Sequence, residues 1–305
     1  MATNTPLKPA FDLSRRIDGR AYLKLENMQD TGAFKLRGAA NAILRARETR
    51  AVTHLVAASS GNHGRAVAYV AQRLGIPSTI CMTTLVPGDK VASIREFGAE
   101  TVLEGDNQNI AVERALALAG APGAFYVPPF DHPDVIAGQG TVALEMLQTC
   151  PDLDALIVPV SGGGLMSGMA VAARHLCPSI RIIGATSERD SAIYESIKAG
   201  RVVDVLERPS IADALPGPIP LDNRYTFAIC RDLVDEIVPI PEASIARAMK
   251  YMLIEEKMVV EGAGVAGLAY ALDHVAQLEH QTVGIVLSGS NISFARLWEV
   301  IAQIP

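Results

Sequence analysis

Short apolar runs rich in Val, Ile and Ala alternate along the chain with longer segments of helical period. The run Leu-Val-Ala-Ala-Ser at 55–59 precedes a segment from 65 to 74 in which Ala66, Val67, Val70, Ala71 and Leu74 share one helix face. Gly75 and Pro77 break that pattern, and 78–82 reads as the next strand. A helix at 91–97, a short strand at 101–103, a helix at 109–119 and a strand at 124–127 keep the rhythm. A second series opens with a strand at 155–160, then a helix at 166–176, a strand at 181–185 and a helix at 192–199 ended by Gly200. Helices at 244–257 and 265–277 and a buried strand at 282–287 close it. Strands separated by helices predict parallel βαβ units with both sheet faces covered, an α/β fold. The proline-rich stretch 208–223 reads as a surface connection or flap.

Composition narrows the function. At 305 residues the chain is long enough for two domains of roughly 150 residues each. Its 27 Lys and Arg against 33 Asp and Glu leave a net charge of −6, so no basic field recruits nucleic acid. With 49% hydrophobic and 20% charged residues there is material for a buried core, and disorder is excluded. No run of 18 apolar residues offers a membrane span, and the first residues hold no apolar segment of a secretory signal. Cys81, Cys150, Cys177 and Cys230 are far apart and form no CxxC, which predicts reduced thiols in a cytoplasmic protein.

In such sheets ligands bind beyond the carboxyl ends of strands, so strand-to-helix loops are where chemistry is sought. Ser59-Ser60-Gly61-Asn62-His63-Gly64 can hold an anion on its N–H groups, although Ser and Asn also cap ordinary turns. Ser161-Gly162-Gly163-Gly164-Leu165 concentrates glycines that cost entropy to order, which favours a tight loop around a ligand such as a phosphate. It is no Walker loop, because no Lys-Ser/Thr follows. Leu287-Ser288-Gly289-Ser290-Asn291 presents either one neutral hydroxyl or a helix cap. Gly262-Ala-Gly264-Val-Ala-Gly267 matches GxGxxG, but it follows helix-like sequence and no acidic residue stands about 20 positions on, which argues against a dinucleotide. The six histidines form no HExxH. Lys35, between Phe34 and Leu36 in a Gly-flanked segment, is a candidate for desolvation, a lowered pKa and a nucleophilic amine.

Together these motifs, in their order, resemble the serine/threonine dehydratase family of fold-type II pyridoxal-phosphate enzymes. The match runs through Lys24-Leu-Glu-Asn27, Thr31-Gly-Ala-Phe-Lys35-Leu-Arg-Gly38, the 59–64 loop, Asp134-Val-Ile-Ala-Gly-Gln-Gly-Thr141, the 161–165 loop, Glu261-Gly-Ala-Gly264 and Ser288-Gly289. The resemblance implies two open, mostly parallel twisted sheets with helices on both faces and the cofactor in a cleft between two domains. It implies a large cofactor domain at 1–50 and 136–305 and a small domain at 51–135 carrying the 59–64 loop. It further implies that Lys35 is the Schiff-base lysine and the base that takes the substrate Cα proton. Gly162, Gly163, Gly164 and Leu165 would cradle the cofactor phosphate, Asn62 would bond the 3-hydroxyl, and Ser288 the ring nitrogen. Phe34, Glu261 and Gly262 would also lie against the cofactor. Ser59, Ser60, Gly61 and His63 would surround the substrate carboxylate, with Ser60 where racemases of the family keep a second acid/base.

The activity so implied is β-elimination from a small β-hydroxy amino acid, L-threonine or L-serine, to a 2-oxo acid and ammonia by a homodimer. Dehydration of a less common substrate, such as a hydroxyectoine-pathway derivative or 3-hydroxyaspartate, is the alternative, with serine-racemase-like chemistry another. A binding protein that has lost catalysis and a nicotinamide oxidoreductase are weaker rivals. Three departures from the family pattern stand out. Thr186 replaces the acidic residue of the divalent-cation site, so no metal is expected; Ser290 replaces a glycine; and an end at Pro305 leaves no room for a regulatory domain.

Overall fold

The structure, a computed structural model, describes residues 1–206 and 208–304. Its strands are β1 (Leu7–Pro9), β2 (Arg20–Leu25), β3 (His54–Ala58), β4 (Ser78–Met82), β5 (Glu100–Leu103), β6 (Ala124–Tyr126), β7 (Ala155–Pro159), β8 (Arg181–Ser187), β9 (Glu236–Ile240) and β10 (Thr282–Leu287). They form two sheets, one of order β1-β2-β10-β7-β8-β9 and one of order β5-β4-β3-β6. Every pairing is parallel except β1 with β2. Every residue of β4, β7 and β10 is buried, as parallel strands covered on both faces require.

Two compact units result. The first comprises Met1–Thr3 and Lys35–Gly138 and contains the four-stranded sheet; the second comprises Asn4–Phe34 and Gln139–Pro305 and contains the six-stranded sheet. The first unit thus begins at residue 35, where the sequence reading drew the boundary at 51. The reason is packing. Helix Lys35–Thr49 buries Leu36, Ala39 and Ile43 in one cluster with Val67, Val70 and Ala71 of helix Asn62–Leu74. An amphipathic helix goes with the core that covers its apolar stripe.

The stretch 208–223 is tied to the core. Ala212 and Leu215 are part of the second unit's main core, and Ser210 and Ile219 are buried. The Glu242 carboxylate draws the stretch inward, accepting from Ser210 Oγ and from the Ile211 N–H at 3.0 Å. It is a surface connection anchored to the core through these buried residues, while residues such as Leu221 stay exposed. Among the described residues no helix is long and apolar enough to cross a membrane.

Each unit brings its chemistry to the carboxyl ends of its strands. In the first these are the loop after β3 and residues 127–130 after β6. In the second they are the loops after β2, β7 and β10.

Candidate active site

Lys35 opens helix Lys35–Thr49. Its Nζ donates to the Pro129 carbonyl at 2.7 Å and lies 5.9 Å from the centre of the Phe130 ring. Burial there lowers the amine from 10.5 to about 8. The desolvation expected of Lys35 is therefore present, but the groups meeting the amine are Pro129 and Phe130 rather than its chain neighbours. A shift of this size raises the neutral fraction at pH 7 roughly 300-fold over an ordinary lysine.

This sets a pH dependence. In the cofactor-free protein, capture of an aldehyde by Lys35 is expected to quicken as pH rises through about 8 and then flatten. Stopped-flow absorbance against pH measures it, and a midpoint near 10.5 would refute the desolvation. The linked stability has the same sign. The unfolded chain holds a proton that the folded chain has lost between pH 8 and 10.5, so this contribution grows with pH across that window.

The loop after β3 reaches helix Asn62–Leu74, whose N-cap, Gly61, has no side chain with which to cap it. The Ser59 hydroxyl accepts from the Gly61 N–H at 3.3 Å, a turn contact rather than a cap. Ser59, Ser60, Gly61 and Asn62 are all partly exposed, beside an uncapped helix terminus that favours an anion. His63 differs from expectation. Its Nε2 lies 2.9 Å from the Val127 carbonyl, an acceptor, so Nε2 carries the proton and donates. Burial, then the charge of Lys35, lowers this imidazole to about 3 against the opposing pull of Val127, so it is neutral at ordinary pH. The side chain is committed to Val127, and what residue 63 offers at the helix start is its backbone N–H.

In the second unit, residues 161–163 run from β7 into helix Gly164–Leu176. Gly163 is the N-cap at φ 84°, a left-handed conformation that suits glycine, and no side chain caps this helix either. A Cβ on Gly163 would stand 3.0 Å from the Thr226 side chain. Gly163, Gly164 and Leu165 are buried, while Gly162 keeps some surface.

Ser288 follows β10 directly and is buried, its N–H donating to the Gly264 carbonyl at 3.3 Å and its carbonyl accepting from the Phe34 N–H at 3.0 Å. The Glu261 N–H donates to the Gly289 carbonyl at 3.1 Å, and Gly262 packs against the Ile211 backbone. Residues 261–264 therefore back the Ser288 loop. They follow no strand, which removes the dinucleotide reading of 262–267 on structural grounds.

Thr186 is fully buried, its hydroxyl bonded to the Val160 carbonyl and to Ser191 Oγ, each at 2.8 Å. Among the described residues no three His, Cys, Asp or Glu side chains gather to hold a metal. Val127 and Pro129 were missed as partners by motif reading. They act through backbone carbonyls, which leave no residue-type signal.

Chemically the two units offer an amine of lowered pKa, two uncapped helix N-termini that attract anions, and one neutral hydroxyl at a strand end. Comparison with known proteins agrees with that set. Residues 1–289 match the model of the pyridoxal-phosphate dependent enzyme family. The chain is 40% identical over 297 residues to an L-threonine ammonia-lyase of Thermotoga maritima, covering 97% of this chain and 73% of the relative. It superposes on the processed form of threonine deaminase isoform 2 from Solanum lycopersicum with a TM-score of 0.91 at 32% identity, covering 99% and 84% of the two chains. Maize serine racemase gives a TM-score of 0.90 at 32% identity, covering 99% and 92%. On the family match and on relatives that span it end to end, the chain belongs to the family of pyridoxal-phosphate dependent enzymes.

Proposed function

We propose that the protein is an L-threonine ammonia-lyase that also accepts L-serine. The observation that carries this is the desolvated Lys35 amine, at a pKa of about 8, in a chain 40% identical to an L-threonine ammonia-lyase. The residues present fit pyridoxal phosphate: an amine for its aldehyde, the uncapped terminus of helix Gly164–Leu176 for its phosphate, and a neutral hydroxyl on Ser288 for its ring nitrogen. When bound, that group supplies an aldehyde for the substrate amine and a conjugated ring that spreads the electron pair left at Cα.

The chain's own residues do the rest. Lys35 Nζ would hold the cofactor by its aldehyde, and as a free amine it would take the Cα proton; its lowered pKa makes it a base near neutral pH. The N–H groups of 162–165 would hold the phosphate, Asn62 would bond the 3-hydroxyl and Phe34 would lie against the ring, with Glu261 and Gly262 behind the Ser288 loop. Ser59, Ser60, Gly61 and the N–H of His63 bind the substrate carboxylate, and Ser60 Oγ can move a proton on the opposite face of Cα. A hydroxyl at Ser288, unlike a carboxylate, would not force the ring nitrogen to be protonated, a moderate electron sink that would favour elimination, with the proton taken by Lys35 passed to the β-hydroxyl as it leaves as water. The released 2-aminocrotonate hydrolyses to 2-oxobutanoate and ammonia. The same reading makes the enzyme a cytoplasmic homodimer with no resident metal.

The test is release of 2-oxo acid from L-threonine, L-serine, D-serine and L-threo-3-hydroxyaspartate, with chiral analysis of recovered serine. L-threonine should give the highest kcat/KM, with 2-oxobutanoate and ammonia in equal amounts. No 2-oxo acid from any substrate by cofactor-loaded protein would defeat the proposal, and D-serine formed faster than pyruvate from L-serine would make it a racemase.

A further inference from the structure

The loops after β2 and β10 leave neighbouring parallel strands, with Leu25 paired to Leu287 at the point of exit. One loop delivers Lys35 and the other carries Ser288. They do not merely run side by side. Ala33 and Gly289 form an antiparallel bridge, the Phe34 N–H donates to the Ser288 carbonyl at 3.0 Å, and the Ser290 N–H donates to the Gly32 carbonyl at 2.9 Å. A short side-chain bond extends this ladder. Asn291 Nδ2 donates to the Thr31 carbonyl at 2.8 Å, and only the amide nitrogen can serve a carbonyl. The carboxamide also fills the space over Gly32, where a Cβ would stand 2.7 Å from Asn291 Oδ1 at φ 75°.

We propose that Asn291 is a positioning residue for Lys35: its carboxamide clamps residues 31–34 to the Ser288 loop and so fixes the backbone from which Lys35 departs. The inference deepens the pyridoxal-phosphate reading above and rests on it for its effect on catalysis. Asn291 acts through Thr31 and Gly32 and then through the ladder to Phe34, whose next residue is Lys35. A lysine that must reach an aldehyde tolerates little slack in the backbone that carries it, because misplacement of about 1 Å costs up to about 100-fold. Ser290 Oγ, by contrast, makes only long contacts, 3.3 Å to the Asn27 carbonyl and 3.4 Å to the Gly32 carbonyl, and contributes little.

The experiment compares Asn291→Ala, Asn291→Asp and Ser290→Gly with wild type. Asn291→Asp keeps the size but cannot donate to Thr31, so both Asn291 variants should lower kcat about 10- to 100-fold and weaken cofactor retention by a similar factor. KM for L-threonine should move less than about threefold, and Ser290→Gly should stay within about twofold of wild type. Amide hydrogen exchange at Phe34 and Ser290, which needs neither cofactor nor turnover, should quicken in both Asn291 variants. Wild-type exchange, kcat and cofactor retention in Asn291→Asp would overturn the clamp, and so would damage in Ser290→Gly equal to that in Asn291→Ala. If wild-type protein itself captures no pyridoxal phosphate, the functional reading fails instead, and the exchange rates still decide the clamp.

Discussion

Exchange of Lys35 for alanine is expected to cut 2-oxo acid release from L-threonine by at least about 10,000-fold and to end covalent retention of pyridoxal phosphate. Two functions are lost together: the anchor and the Cα base are the same amine. The fold survives. Alanine is the best helix former, and the apolar stripe of helix Lys35–Thr49 starts at Leu36, which the change leaves in place. The Pro129 carbonyl loses its donor, a cost of about 1–3 kcal/mol, and the cost of enclosing an ammonium disappears, which offsets it. Removing the Lys35 charge also raises the His63 pKa, but burial is the larger cause of its lowering, so the imidazole stays neutral. Lys35→Arg should be equally inactive, because a guanidinium cannot give up its proton. Borohydride reduction followed by peptide mapping provides the check: the added mass sits on the Lys35 peptide in wild type and is absent from both variants. Turnover surviving in Lys35→Ala would end the lyase assignment.

How much of this was visible beforehand depends on where each residue's information lies. β4 and β10 were legible to the residue, because each is a short, mostly apolar run without charge, and Gly75 and Pro77 mark where β4 can begin. β2, of sequence RAYLKL, was not read as a strand: its pattern mixes polar and apolar residues, and its lysine is buried for reasons of pairing. β9 carries Pro239, which argues against a strand except at an edge, and the edge of the sheet is where it lies. Helix Pro133–Thr149 was hidden by Gly138, a poor helix former kept where a Cβ would stand 2.6 Å from the Arg37 carbonyl. The candidate site divides in the same way. Side-chain motifs located the Lys35, 59–64, 161–165 and 288–291 segments. The partners that fix them, the carbonyls of Val127, Pro129 and Thr31, belong to the backbone, which any residue type supplies.

Lys24→Met should destabilise the second unit by about 3–5 kcal/mol, the cost of leaving one member of an enclosed ion pair without its partner. Lys24 is 1% exposed in β2; its ammonium donates to the Thr5 carbonyl at 2.6 Å and to the Glu145 carboxylate at 2.5 Å. Two residues on, Glu26 is wholly buried and accepts from the Thr5 hydroxyl and from Gln29 Nε2 at 3.1 Å. Met matches the apolar stem of lysine but offers nothing to Thr5 or Glu145, so the carbonyl and the carboxylate both lose the donor that Lys24 supplies. The melting temperature should fall by at least roughly 6 °C. Adding Glu145→Leu removes the orphaned charge and should recover most of the loss, since the two sites share one interaction and their effects do not add. Saturating pyridoxal phosphate should raise both melting curves and leave the gap between them, because only folded protein binds it and the two proteins bind it alike. Activity separates this role from that of Asn291. Lys24 bonds Thr5 and Glu145 and no group assigned to the reaction, so kcat/KM at 25 °C should stay within about threefold of wild type while the melting curve moves. A single variant that melts with wild type, or a double variant no better than the single, would show that the pair is bystander to stability and that β2 is held by its ladder alone.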